Sequence, residues 1–365
     1  MSAGIRILFI APYPEKITPS QRFRFEHYLP ILEKAGMEYR YDTFINNNGY
    51  KVIFQKGNTF KKTLFLLKGF IKRAALLFTL KPYDFIYIHR EAAPLGPPLL
   101  EWIIARVWKK RIIYDFDDAI WISLTSEANP KAAKIKCTWK VAEICKWATV
   151  VSTGNKFLAD YASRYAKDVR IIPTVVDTLH MHNKTKNHSD SPFTIGWTGT
   201  FTNFIHLPLV IPALKQLQSK YQFRILIIAD KDPLLEDIKY EFRHWKLENE
   251  MEDLLEFHIG LMPLIKMKTD VQLGKCAFKA IQYMSLGIPA VVTPTGSNCE
   301  VVDHGINGFW ADNDKEWRDS IEKLILDPNL RKETGKKAQD KINKEYSVIA
   351  TEQSFLNLFA NPVSP

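Results

Sequence analysis

Three polar side chains, Lys275, Lys279 and Gln282, follow one another at steps of four and three residues. The stretch that carries them reads as a helix, with Phe278, Ile281, Met284 and Ser285 on its inward side. Two lysines and an amide on one helix face can neutralise and orient an anion. Gly287 and Pro289 stop the helix, and Ala290 to Thr293 is short, apolar and β-branched, the form of a parallel strand covered on both sides. Thr295, Gly296, Ser297 and Asn298 then open a second helix, with Glu300 in its first turn, and amides exposed at such a start suit a diphosphate.

Other candidates lie upstream. Thr198, Gly199 and Thr200 end a strand with small residues that let a phosphate approach the backbone. Arg22 and Arg24 fall in the first turn of a helix that begins near Ser20, where the helix dipole is already positive, so a bound anion would offset the repulsion. A solvated pair of arginines is the alternative. His89, Arg90 and Glu91 follow one strand, and Asp115, Asp117 and Asp118 end another in the run YDFDDAIW. Three carboxylates so close need a cation, a metal or a hydrogen-bond network, or else they cap the next helix. His180, His182 and His188 sit in a polar stretch without a supporting carboxylate, a weak basis for a metal site.

The elements that must position these groups alternate between strand and helix. Strands are expected at Ile5 to Ala11, Glu38 to Thr43, Asp84 to His89, Arg111 to Asp117, Ala148 to Ser152 and Val169 to Ile172. A second series runs through Phe193 to Thr198, Phe223 to Ala229, Glu256 to Ile259 and Ala290 to Thr293, with helices at His206 to Gln218, Asp314 to Leu326 and Asn329 to Tyr346. This is the pattern of doubly wound α/β sheets, whose ligands gather beyond the carboxyl ends of the strands. The division is 1–180, a polar linker 181–192, a second domain 193–345 and an amphipathic terminal segment 346–365.

The order Lys279, Gln282, Tyr283, Met284, Gly287, Pro289, Gly296, Asn298, Glu300 and Asn307-Gly308-Phe309 resembles the donor-binding signature of retaining glycosyltransferases of family 4, the glycosyl transferases group 1 of GT-B fold. The resemblance implies two Rossmann-like domains facing a central cleft, a terminal helix crossing back to the first, and an enzyme that moves a sugar from a UDP- or GDP-linked donor to a glycan or lipid-linked acceptor. It implies retention and neither metal nor cofactor. Donor contacts would come from Arg22, Thr198, Gly199, Thr200, Gln282, Gly296, Ser297, Asn298 and Glu300. Lys275, Lys279, His89 and Asp117 would be catalytic, with Arg24, Arg90, Glu91, Asp115 and Asp118 on the acceptor side. The sequence departs from the family in places. Asp117 stands where many relatives place a histidine, and either orients the acceptor hydroxyl or accepts its proton. Gly274 stands where the first of two glutamates is usual, and the Arg and Lys usual shortly after the 198–200 loop are missing from Gly196 to Pro208. Two other classes stay open: a phosphoryl-transfer enzyme built on Asp115 and Asp117, whose Asp-x-Asp is faintly similar to the phosphoaspartyl motif of haloacid-dehalogenase phosphatases, and a non-catalytic sugar-nucleotide binder.

Bulk properties agree with a globular protein of two domains: 365 residues, 46% hydrophobic and 25% charged. A net charge of +10 points to anionic partners, and nothing resembles a nucleic-acid reader. Cys137, Cys145, Cys276 and Cys299 lack metal-ligand spacing, and a strand begins almost at the N-terminus, so a cytoplasmic protein is expected. Phe60 to Pro82 mixes Lys61, Lys62, Lys68, Lys72 and Arg73 with large apolar residues. It reads either as a sheet-covering helix with a basic solvent face or as an interfacial helix on acidic lipid, the latter giving peripheral attachment and a place in cell-envelope glycan synthesis.

Overall fold

The computed structural model describes residues 4–53, 57–122 and 135–360. It divides into two compact units, Met1–Thr174 with Glu352–Pro365, and Val175–Thr351.

Unit 1 is built on six parallel strands: β1 (Arg6–Ala11), β2 (Glu38–Thr43), β3 (Phe85–His89), β4 (Arg111–Phe116), β5 (Val150–Thr153) and β6 (Val169–Ile171). Their order is β2-β1-β3-β4-β5-β6. β3 and β5 are buried at every position, because crossover helices cover both faces of such a sheet. The direction of winding reverses between β1 and β3, which opens a crevice at their carboxyl ends. The chain returns to this unit at its end: Phe355 stacks on Tyr28 with ring centroids 4.0 Å apart, and Phe359 packs edge-on to Phe85.

Unit 2 carries β7 (Thr194–Gly199), β8 (Arg224–Ala229), β9 (Glu241–His244), β10 (Ile259–Met262), β11 (Ala290–Val292) and β12 (Gly308–Trp310), also all parallel, in the order β12-β11-β10-β7-β8-β9. Here the reversal falls between β7 and β10. One side of the sheet is filled by Trp197, Ile225, Ile227 and Leu261 against Leu214, Trp317 and Ile321 of the helices. Both units therefore have the expected doubly wound α/β architecture.

Several local expectations need correction. β10 starts at Ile259, where the strand was expected to end, since Phe257 fills the core beside Gly196 and the chain reaches the sheet only afterwards. β9 and β12 were not expected. Pro208 divides the helix expected over 206–218 into a 3₁₀ segment, Phe201–Leu209, and an α-helix, Ile211–Gln218. The helix expected from Lys275 begins at Phe278, because Ala277 takes a left-handed conformation with φ +50°. Lys275 thus precedes the helix and shares no helical face with Lys279. Arg22 closes a four-residue helix, Pro19–Arg22, so neither arginine sits at the positive end of a dipole. The stretch 181–192 is pinned to unit 2: Lys186 N donates to Leu286 O at 2.8 Å, and the His188 ring lies 2.9 Å from Gly287 O.

Candidate functional site

In unit 2 the carboxyl ends of β11, β10 and β7 lie side by side at the reversal. Thr198 N, near the end of β7, donates to Tyr283 Oη at 2.9 Å, which fixes the helix Phe278–Ser285 against the loop. At Gly199 a Cβ would come within 2.5 Å of the Trp197 ring and 3.0 Å of Lys279 Cε. The Lys279 stem therefore lies on the Gly199 backbone, its ammonium 5.7 Å from the centre of the Trp197 ring. Burial, and then the charge of Lys275, push the Lys279 ammonium down to about 8. The same causes act on His206, where burial followed by Lys279 and Lys275 pushes the imidazole down to about 4. His206 Nδ1 accepts from Ile265 N at 3.2 Å, so the neutral ring carries its proton on Nε2. Two lysines and an imidazole N–H gathered at one strand edge make a site for an anion.

The expected binding residues around this cluster are buried with polar atoms left over. Among the described residues Gln282 Nε2, Ser297 Oγ and Asn298 Oδ1 have no hydrogen-bond partner, and all three residues are more than nine-tenths buried. Leaving such a group unmet costs about 1–3 kcal/mol each, which a ligand offering hydroxyl and phosphate oxygens could recover. Asn298 is held in place by Nδ2, which donates to Thr293 O at 2.9 Å. Gly296 has φ +51°, and a Cβ would meet Leu273 O at 3.1 Å, so the turn rests on the segment that leads into Lys275. Its amides are partly committed: Asn298 N donates to Thr295 O and Cys299 N to Gly296 O, each at 3.1 Å. That leaves Gly296 and Ser297 as the backbone donors the turn could offer, fewer than expected. Glu300 is exposed, and its carbonyl accepts from Lys341 Nζ at 2.7 Å. Thr200 Oγ1 accepts from Asn203 Nδ2 at 2.9 Å.

In unit 1 the loops after β1, β3 and β4 build a continuous network at the other reversal. Asp115 is fully buried; it takes the Arg24 guanidinium on both oxygens and lies 2.8 Å from His89 Nδ1. Arg24 also reaches Ser152 Oγ at 3.1 Å and Ile172 O. His89 Nε2 lies 2.7 Å from Ser20 Oγ, and that hydroxyl is 2.9 Å from Asp117 Oδ1. Arg90 closes the network on Asp117 at 2.7 Å. Burial alone would raise the Asp117 carboxyl, but Arg90, His89 and Arg24 hold it well below the usual carboxylate range. It is a poor proton acceptor and a good hydrogen-bond acceptor. Asp118 caps the next turn through Ala119 N at 2.9 Å, and Glu91 pairs with Lys140 at 2.6 Å. A cavity of about 120 Å³ opens beside them, lined by Tyr13, Arg90, Glu91, Lys136 and Lys140 among others. Arg22 is buried against the Phe23 ring.

Arg24 and Asp115, expected to face an acceptor, are sealed and bound to each other, so they position His89 rather than touch a ligand. This also removes the basis for a phosphoryl-transfer reading, because Asp115 has no exposed oxygen and Asp117 is engaged by Ser20 and Arg90. Among the described residues no cluster of His, Cys, Asp and Glu could hold a metal ion. Sequence reasoning missed His206, Tyr283 as a support, and Ser20. A histidine seven residues after β7 was the one visible signal for His206.

Comparison with known proteins places these features. Residues 182–341 match the family model for glycosyl transferases group 1. That match and the fold together indicate a glycosyltransferase. The fold is that of GT-B enzymes. Sucrose-phosphate synthase from Thermosynechococcus elongatus is similar over 98% of both chains, at 12% identity and a TM-score of 0.67. HepE of Anabaena, solved with UDP and glucose, is similar over 97% of this chain and 98% of its own, at 16% identity and 0.66. A glycosyltransferase from Rickettsia africae is similar over 98% of both chains, at 13% identity and 0.61. A search of curated proteins by sequence found no significant match.

Proposed function

We propose that the chain transfers a sugar from a nucleotide diphosphate sugar to an acceptor hydroxyl on a glycan or lipid-linked substrate, with retention at the anomeric carbon. The observation that carries this reading is the anion-ready edge of unit 2, where Lys279, Lys275 and neutral His206 stand near the unmet polar atoms of Gln282, Ser297 and Asn298. Lys279 and Lys275 neutralise the departing diphosphate, Gly199, Gly296 and Ser297 offer backbone donors, and Gln282 meets the ribose or sugar. Thr198 supports the same donor through the Tyr283 anchor. Chemistry of this kind consists largely in stabilising the leaving group as the sugar gains positive character, worth roughly 3–4 kcal/mol for each well-aimed donor. UDP is the first nucleotide to test, since HepE was solved with it. On the acceptor side, Asp117 accepts a hydrogen bond and orients the hydroxyl; with so low a proton affinity it does not take the proton, so the proton leaves with the diphosphate oxygen. His89 and Arg90 hold Asp117 through Ser20 and directly, and Glu91 and Asp118 shape the loops around it.

A thermal-shift screen against UDP, GDP, ADP and CMP tests the donor half. A ligand at a hundred times its Kd stabilises by about 2.7 kcal/mol. UDP or GDP should raise Tm while CMP does not, and no shift with any diphosphate nucleotide would remove the proposal.

A further inference from the structure

The helix Thr59–Leu76 is tied to unit 1 by one face only. Gly69 sits on the Phe44 ring, where a Cβ would come within 2.6 Å. Arg73 is buried, pairing with Asp42 and donating to Ala11 O at 2.9 Å and Ala92 O at 2.8 Å. Leu76 completes that face. Residues on the opposite side of a helix fall half a turn away, and those positions, Phe60, Leu64, Leu67 and Ile71, are all large and apolar. They are 83%, 41%, 55% and 61% exposed, and Phe78 beyond them is 84% exposed. The solvent face expected to be basic is therefore an apolar stripe. Lys61 and Lys68 flank it on one side, both exposed, whereas Lys72 is drawn back to Thr43 O and Asp42. The segment Thr59 to Pro82 contains six basic residues and no acidic one.

The next crossover adds to this surface. Both connections, β2 to β3 and β3 to β4, advance in the same direction across the sheet, so right-handed crossovers put both helices on the same sheet face. Leu66 of the first and Leu100 of the second pack on one cluster, Phe44, Ile45 and Ala93. The second helix, Leu99–Trp102, and the turns after it leave Leu99, Trp102 and Val107 exposed, with Arg106 and Lys109 exposed beside them.

We propose that this face of unit 1 docks on the surface of an anionic bilayer, the apolar stripe entering the interface and the lysines pairing with acidic headgroups. An apolar ridge with an exposed tryptophan and a wholly basic flank matches a bilayer in polarity and in charge. No helix among the described residues is long and apolar enough to cross a membrane, and docking requires none. The surface lies on unit 1 alone and its occupancy does not depend on nucleotide binding in unit 2.

Sedimentation of the full chain with vesicles tests this, comparing phosphatidylcholine alone with phosphatidylcholine containing about a third phosphatidylglycerol. The chain should sediment with the anionic vesicles, less so as salt rises, and remain in solution with the neutral ones. Each lysine at an acidic surface is worth about fivefold, so Lys61→Gln with Lys68→Gln should lower partitioning about thirty-fold. Leu64→Glu with Ile71→Glu should abolish it. Both pairs change exposed residues, so circular dichroism and any nucleotide-induced Tm shift should match those of the parent chain. Equal sedimentation with neutral vesicles, or retained binding by the Glu pair, would overturn the proposal. So would a dimer in vesicle-free solution that the Glu pair splits, which would make the face a contact between copies of the chain.

Discussion

Replacing Lys279 by alanine removes the charge that leans on Gly199 while leaving the fold little to lose. The side chain makes no ion pair among the described residues, and its ammonium is pushed down to about 8 by burial and by Lys275, so its charge is held at a cost until an anion arrives. Two consequences separate this lysine from a structural one. Thermal stability without ligand should be unchanged or slightly higher at pH 7, because the substitution relieves repulsion with Lys275. Binding should suffer: a hydrogen bond to a charged group is worth about 1.5–3 kcal/mol, which corresponds to a loss of roughly ten- to a hundred-fold in UDP affinity by calorimetry. Turnover should fall further, by about two to three orders of magnitude, since the charge on the diphosphate grows in the transition state. Lys279→Met, which keeps most of the volume, should behave like the alanine variant. UDP binding by both variants with the affinity of the parent chain would refute the assignment.

Further outcomes follow from the same geometry. Titration gives a paired signature: the folded-state value of Lys279 lies below its ordinary value of 10.5, so ligand-free stability should rise between pH 8 and 10 as the unfolded chain holds the proton longer, while UDP affinity falls across the same window. His206, also lowered, acts in the acid range together with His188 and His258: stability should decline as pH falls from 6.5 towards 4, because the unfolded chain takes up protons that the folded rings refuse, and His206→Gln should make that limb of a Tm profile shallower. Asp115→Ala strands the buried Arg24 guanidinium and should cost about 3–5 kcal/mol in urea unfolding. Gly199→Ala places a methyl against Trp197 and the Lys279 stem, so UDP affinity should drop with a much smaller loss of Tm.

The parts legible in the sequence are those that local rules govern. The helix Asp314–Leu326 has the bounds expected of it, since Asn313 caps Glu316 N at 3.0 Å and Trp317, Ile321 and Leu324 keep a single inward face. The strands β2 and β8 were visible as short β-rich runs between turn signals. By contrast β9 is an edge strand, Glu241–His244, whose Glu241 and Arg243 exchange ion pairs with Arg224 and Glu256 instead of filling a core, so it shows no apolar period. Lys275 was misplaced for a related reason: nothing in the composition of Cys276-Ala277 announces the left-handed backbone that Ala277 adopts, with φ +50°.

The polar clusters at the two sheet reversals differ in the same way. Gln282, Ser297 and Asn298 lie within seventeen residues, on one helix and the turn that answers it, and residue order alone picks them out. The network Ser20, His89, Asp115 and Asp117 spans almost a hundred residues and three loops, and its members become neighbours only because β1, β3 and β4 stand side by side. Sheet order is a long-range property, so a spacing argument could find the carboxylates but not the hydroxyl that joins them to His89. That joining decides the chemistry. An Asp117 with open lone pairs could have been a base or a metal ligand; one held by Ser20 and Arg90 is fixed as a carboxylate, a poor proton acceptor that can still accept a hydrogen bond.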